Sequence, residues 1–400
     1  MYKEVIAHIR TLFGTGDEFV PLHAPYFGGN EKKYVLDTID STFVSSVGAY
    51  VNRFEEMMAE ITGAKYAVAT TSGTTALHLA LIVGGVQPGE EVISQPLTFV
   101  ATANAIAHAG AIPVFVDVDR DTMGMSPVAL KAFLAEHVTM QDGMAINKHS
   151  GRRIAACVPM HTFGFPLRID EVQEICAQYN IMLIEDAAES LGSTYKGKHT
   201  GTFGQVGIFS FNGNKTVTCG GGGAIVTDDE TIAKHARHLS TTAKVAHPWE
   251  FVHDEVGYNY RMPNINAALA CAQLEQLPAI LDNKRMLADA YNEFFRERNI
   301  SFVKGIEESS PNHWLNTIIL DSIEARDAFL QETNTQKVMT RPIWQLMNKL
   351  PMYAASMCGS LSNAEWLEAR AVNIPSSYRP GTNNIAITSK TSDLVPQQLP

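Results

Sequence analysis

Between Ile208 and Val226 the chain reads IFSFNGNKTVTCGGGGAIV. Two apolar runs flank a polar turn carrying one lysine, Lys215, followed by four glycines at 220–223. A lysine amine can attack a carbonyl and hold it as a Schiff base. A lysine just after a strand is also an ordinary surface residue. Two other stretches offer complementary chemistry. In TSGTTALHL, Ser72, Gly73 and Thr74 stand where an apolar run gives way to a helical pattern. Free amides and the helix dipole would converge there on an anion, most often a phosphate. A plain N-cap is the competing explanation. In LIEDAAES, Glu185 and Asp186 close an apolar run. A carboxylate at that point can cap a helix, bind a metal or pair with a cationic ligand atom.

The glycine run is not a nucleotide loop. It lacks GxGxxG, it precedes a strand-like run, and GxxxxGK[ST] is absent. It indicates a tight backbone path that something must approach closely. A phosphate cup, a carboxylate and an amine, in that order, suit one ligand: pyridoxal phosphate, with its phosphate, its cationic ring nitrogen and its lysine-reactive carbonyl.

Such groups meet only if the chain between them is regular. From Tyr66 short apolar runs alternate with helical segments: KYAVATT, EVISQPL, IPVFVDVD, RIAACVPM and IMLIEDAA. That alternation predicts an α/β fold with a mostly parallel sheet, and ligands of such sheets sit at the carboxyl ends of strands. VGIFSFN and GGAIVTDD follow with no helix between them, which predicts antiparallel pairing. Ahead of the sheet, EKKYVLDTID and VNRFEEMMAEITG have helical periodicity. The pattern predicts an N-terminal arm plus large domain over 1–270, a smaller α+β domain over 271–378 opening with one long helix, and a weakly ordered tail over 379–400.

The bounds agree. The chain has 400 residues, 45% hydrophobic and 18% charged, enough for a full core. A net charge of −11 without a basic run argues against nucleic acid. Five scattered cysteines, with no CxxC pair, indicate neither zinc nor a disulfide framework, and no metal is expected. A reducing cytoplasm is the expected setting. The N-terminal segment does not have the form of a signal peptide, and no apolar run is long enough to span a membrane.

SGTTALHLAL, IEDAAESLGS, FSFNGNKTVTCGGGG and GYNYRMPNINAALACAQLE are similar to segments of the DegT/DnrJ/EryC1/StrS sugar aminotransferases. The resemblance covers residues 20 to 378. It implies the type I fold of pyridoxal phosphate-dependent transferases, the aspartate aminotransferase fold, and transfer of an amino group from L-glutamate to a nucleotide-linked keto sugar. FNGNK, the Glu after EDAA, NHWLN and TRPIW resemble members that aminate C4 of UDP-4-keto-6-deoxy-N-acetylglucosamine. Other keto sugars, GDP- or dTDP-linked or with a C3 ketone, and a non-catalytic cofactor-binding regulator are the alternatives.

By the same resemblance Lys215 would hold the cofactor and later shuttle a proton, and Asp186 would pair with its ring nitrogen. Ser210 would hold the phosphate with Ser72, Gly73 and Thr74, and Phe99 would stack on the ring. Glu189 and His161 match positions near the substrate, though His161 could equally be a satisfied structural histidine. Arg341 would meet the sugar or nucleotide, or pair on the surface. Asn259 would reach the phosphate of a second subunit, making the active unit a homodimer with shared sites. One departure is the C-terminus, where NIPSS is followed by no amphipathic helix pattern.

Overall fold

A computed structural model describes residues 2–381. Its centre is a seven-stranded sheet. The strands are β1 (Tyr66–Thr70), β2 (Glu91–Ser94), β3 (Ile112–Phe115), β4 (Ile154–Val158), β5 (Met182–Asp186), β6 (Val206–Ser210) and β7 (Gly223–Thr227). Their order across the sheet is β1-β7-β6-β5-β4-β2-β3. Pairing is parallel from β6 through β5, β4, β2 and β3. Strand β7 runs antiparallel to both β6 and β1, as the absence of a crossover helix requires.

Both faces of the sheet are covered, which is why the strands are nearly continuous in apolar residues. Along β1, Ala67 and Ala69 face one way and Val68 the other, the two-residue period of a strand. Ala67 and Ala69 pack with Phe209, Val226 and the helices Ala49–Thr62 and Asn264–Glu275. Val68 packs with Ile184, Ile208, Ile225 and the helices Gly73–Val83, Val100–His108 and Glu230–Ser240.

The smaller layer contains strands β8 (Ser301–Phe302), β9 (Asn316–Ile319), β10 (Arg341–Pro342) and β11 (Ala371–Ile374), in the order β8-β9-β11-β10. The long helix expected at its entrance is two helices, Asn264–Glu275 and Leu277–Arg296. Pro278 is the reason: without an N–H it suits the first turn of a helix and not an interior. The expected boundary at 270/271 falls inside the first of these helices. Cys271, Leu274 and Ile280 still belong to the large core, and Leu287, Tyr291 and Phe295 to the small one. The N-terminal helix Tyr2–Phe13 also packs on the small domain, through Val5, Ile6 and Ile9. Its grouping with the large domain is thereby corrected: its apolar stripe finds Leu287 and Tyr291. Of the tail expected over 379–400, residues from 382 onward lie outside the described residues. Arg379 is buried, and its N–H donates to Asn283 Oδ1 at 3.0 Å. Among the described residues no helix is long and apolar enough to cross a membrane.

Candidate active site

The carboxyl ends of β1, β5 and β6 open onto a cavity of about 340 Å³. It is lined by Ser72, Gly73, Thr74, Phe99, Asp186, Glu189, Ser210 and Lys215, together with Thr102, Trp314 and Trp344. Eight residues singled out from sequence therefore share one wall-to-wall space, although they come from separate parts of the chain.

At one end stands the first turn of the helix Gly73–Val83. Ser72 is its N-cap: its hydroxyl accepts from Thr75 N–H at 3.1 Å, while Thr75 Oγ1 accepts from Ser72 N–H at 3.0 Å. Ser72 is thus an N-cap, and its capping leaves the neighbouring amides available to an anion. Capping satisfies Thr75, and the amides of Gly73 and Thr74 donate to no protein acceptor among the described residues. A Cβ built on Gly73 would lie 2.7 Å from Ser210 Cβ, so the serine is packed directly against the cup.

Asp186 ends β5 and is almost completely buried. Its Oδ2 accepts from Thr102 Oγ1 at 2.7 Å and its Oδ1 from Ala188 N–H at 3.2 Å. Burial pushes its carboxyl above the usual range, against the pull of these donors and of Lys215. Glu185, one residue earlier, points to the opposite side of the strand. There it accepts from Gly201 and Gly204 N–H, at 2.7 Å each, and pairs with His161. Period-two alternation thus divides the two carboxylates into one for the cavity and one for the scaffold.

Lys215 lies on the turn between β6 and β7. Its Nζ donates to Glu189 Oε1 at 3.0 Å and stands 3.9 Å from the centre of the Trp314 ring. The other oxygen of Glu189 accepts from Phe163 N–H at 2.8 Å. Phe163 has φ 56°, a backbone state bulky residues rarely adopt. Its ring contacts Trp344 and Trp314 at centroid distances of 4.8 and 6.2 Å. Burial raises the Glu189 carboxyl to about 7, with Lys215 and Phe163 N–H opposing the shift. Phe99, 48% exposed, faces Trp344 at 6.1 Å between centroids, at the open side of the cavity.

Three residues expected at the site do not line it. His161 is fully buried; Nδ1 accepts from Leu167 N–H at 3.3 Å, which leaves Nε2 to donate to Glu185 at 3.0 Å. Both ring nitrogens are used, so the expectation of substrate contact is corrected to a scaffold role. Arg341 is exposed on β10 and donates to Asn334 Oδ1 and Thr340 O, both at 3.2 Å, a pairing on the surface. Asn259 is exposed and bridges Thr241, away from its own chain's cavity. Sequence reasoning missed Thr102, Phe163, Trp314 and Trp344 as parts of the site. The signal for the tryptophans was present: NHWLN and TRPIW carry two of only four in the chain.

The four glycines turn out to have separate reasons. Gly220 has φ +80°. A Cβ on Gly222 would meet Cys219 Sγ, and one on Gly223 the carbonyl of Ser72, each well inside contact distance. A Cβ on Gly221 would make only an ordinary contact, 3.7 Å from Thr71 O, and Gly221 lines the cavity.

The chain belongs to the DegT/DnrJ/EryC1/StrS aminotransferase family, whose model matches residues 25–387. It is a pyridoxal phosphate-dependent aminotransferase. It is 36% identical over 363 residues to a GDP-perosamine synthase of Escherichia coli O157:H7, covering 90% of this chain and 93% of that protein. It is 38% identical over 333 residues to EpsN of Bacillus subtilis (strain 168), covering 83% of each. The structure superposes on the aminotransferase TlmJ from Streptoalloteichus hindustanus with a TM-score of 0.81 at 26% identity, covering 90% of this chain and 94% of that one.

The residues present fit that cofactor. The Gly73 and Thr74 amides with Ser210 suit its phosphate, the buried Asp186 carboxylate suits a protonated ring nitrogen, and Lys215 suits its carbonyl carbon.

Proposed function

We propose that the protein transfers an amino group from L-glutamate to C4 of a GDP-linked 4-keto-6-deoxy sugar. The observation that carries this reading is the likeness to GDP-perosamine synthase along nine-tenths of both chains. It replaces the UDP-linked N-acetyl sugar expected from the short motifs as the leading substrate. Those motifs are short, whereas the likeness to this relative runs along nine-tenths of the chain.

Pyridoxal phosphate, when bound, supplies the electron sink that lets an amino group pass between donor and acceptor. The chain's part is positional and protonic. Ser72–Thr74 and Ser210 hold the phosphate end. Asp186, fixed by Thr102 and Ala188, keeps the ring nitrogen protonated. Lys215 carries the proton at its Nζ, and Glu189, 3.0 Å away, holds that amine in place and takes or returns its proton. Phe99, Trp314 and Trp344 exclude water from the reacting end. The proposal includes a homodimer, in which Asn259 of each chain reaches the partner's phosphate.

The test is a panel of GDP-, UDP- and dTDP-linked 4-keto-6-deoxy sugars with glutamate as donor, with the product's amine position read by NMR. The GDP-linked sugar should give a kcat/KM at least about tenfold above the others, the discrimination of roughly one good contact. A preference for the UDP-linked N-acetyl sugar overturns this assignment.

A further inference from the structure

The segment NHWLN, leading into β9, opens with Asn312, which is buried and does not itself line the cavity. Its side-chain amide is fully used. Oδ1 accepts from Trp314 N–H at 2.8 Å. Nδ2 donates to the carbonyls of Glu189 and Leu191, at 2.9 Å each, and lies 3.3 Å from Thr216 Oγ1. A backbone N–H only donates and a carbonyl only accepts, so these partners fix which end of the amide is oxygen. The main chain is held as well. Asn312 N–H donates to Ser193 Oγ at 2.9 Å, and Ser193 Oγ donates to Gly164 O at 2.7 Å. Gly164, with φ +92°, leaves the room: a Cβ there would overlap Asn312 Oδ1.

Three of those partners lead to the Lys215 amine. Glu189 carries the carboxylate 3.0 Å from Nζ. Thr216 directly follows the lysine in the chain. Trp314 sets its ring 3.9 Å from Nζ, and its Nε1 donates to Asn214 O at 2.6 Å, on the other side of the lysine in the chain. We propose that Asn312 is a positioning residue for the amino transfer: one buried amide sets the relative places of the reacting amine, its carboxylate partner and the indole beside it.

The three groups come from different parts of the fold: the loop after β5, the turn after β6 and the segment ahead of β9. A displacement of about 1 Å along the Lys215–Glu189 contact would carry it beyond hydrogen-bond reach. The position calls for one acceptor and two donors within one short side chain. Asparagine offers that set, whereas leucine has neither and an ionised aspartate has no donor. This role rests on the one proposed for Glu189, and the variants below separate the two.

The test uses two variants of the cofactor-loaded protein. Asn312→Ser keeps a small polar side chain that cannot span to Glu189, Leu191 and Trp314 together. Thr216→Val is the milder probe, removing only the contact beside the lysine and leaving both carbonyls paired. Asn312→Ser should slow single turnover with glutamate by at least about tenfold, as a misplacement of about 1 Å can, and should move the pH midpoint of the visible cofactor band. Thr216→Val should move both in the same direction by less. Cofactor affinity in equilibrium dialysis should stay at the wild-type level, because Asn312 makes no hydrogen bond to Gly73, Thr74 or Ser210. A purely structural role would lower the urea midpoint and leave the rate per bound cofactor and the band midpoint unchanged. That result, or wild-type behaviour in both variants, overturns the proposal. If Asn312→Ser does not fold, Thr216→Val decides alone. Glu189→Gln run alongside keeps the two readings apart: wild-type rates there would remove Glu189 from the proton path, while the band midpoint, which follows the Lys215 amine, still tests Asn312.

Discussion

The Nζ of Lys215 lies 3.0 Å from Oε1 of Glu189, inside the cavity and against the face of Trp314. Glu189 is buried, its second oxygen is held by Phe163 N–H, and its proton affinity is lifted by burial to about 7. A carboxyl so placed can accept a proton from the amine near neutral pH and return it. Glu189→Gln keeps the shape and the contact but cannot exchange the proton. The half-reaction with glutamate should slow by about a hundredfold, the lower range for losing a general acid–base partner. The inflection of rate against pH near 7 should vanish with it. Single-turnover absorbance measurements across pH 6 to 9 read both; an inflection retained in the variant would remove Glu189 from the proton path.

The cup proposed for the phosphate would depend on the absence of a side chain. A Cβ at Gly73 would stand 2.7 Å from Ser210 Cβ, and neither atom can swing aside. Gly73→Ala should therefore push Ser210 and the first helical turn apart, weakening cofactor binding by at least about tenfold, the worth of one strong hydrogen bond to a charged group. Gly213→Ala, in the Lys215 turn but with nothing within 4 Å of its Cβ, should bind normally. Equilibrium dialysis of the two variants decides it; equal affinities would mean that the cup tolerates the methyl group.

The strands and the cofactor wall were legible in the sequence because each is a local pattern. The apolar run of β5 ends in Asp186, and a strand's alternation separates that residue from Glu185 without further information. What was not legible depends on contacts between distant segments. His161 resembles a pocket residue in its own stretch, and only the fold shows that Glu185 and Leu167 use both of its nitrogens. Trp314 reaches Lys215, and Trp344 the same cavity, from about a hundred residues or more later in the chain, and their motifs carry no spacing rule that would announce it. The break at Gln276 was readable from Pro278, but the apolar stripe on either side masked it.

Lys284 supplies a prediction about stability. Its amine is buried and donates to three carbonyls, those of His313, Trp314 and Ser376, at 3.4, 3.3 and 2.7 Å. Burial lowers its pKa to about 7 from the usual 10.5. The folded state thus binds the proton less well than the unfolded chain. The penalty is complete below pH 7 and is relieved as pH rises toward 10.5, where the unfolded chain also loses the proton. Stability should increase with pH in that window by up to about 1.4 kcal/mol per unit from this group. Lys284→Met leaves the carbonyls unpaired, so its absolute stability is uninformative. Its slope is informative: urea unfolding at pH 7 and 9 should show a wild-type gain about 2 kcal/mol larger than the variant's. Parallel slopes would mean that the amine stays charged inside the fold.

The last prediction concerns the second chain. Asn259 is exposed and lies outside its own cavity, in a segment held to the end of the helix Glu230–Ser240 by the Thr241 bridge. If it serves a partner's phosphate, its amide contributes a hydrogen bond to a charged group worth about 1.5–3 kcal/mol. Asn259→Asp would instead set a carboxylate against that phosphate, and Lys215→Ala removes the reacting amine. Each variant alone should be nearly inactive. In a closed two-fold dimer the contact is reciprocal. A mixed dimer therefore has one site with both defects and one with neither. Unfolding and refolding the variants together pairs chains at random, so about half of the dimers are mixed and half of their sites intact, restoring roughly a quarter of wild-type activity. Refolded wild type run alongside calibrates the yield. Recovery near that fraction supports a shared site, whereas a mixture that stays inactive while the wild-type control recovers would place Asn259 in the service of its own chain.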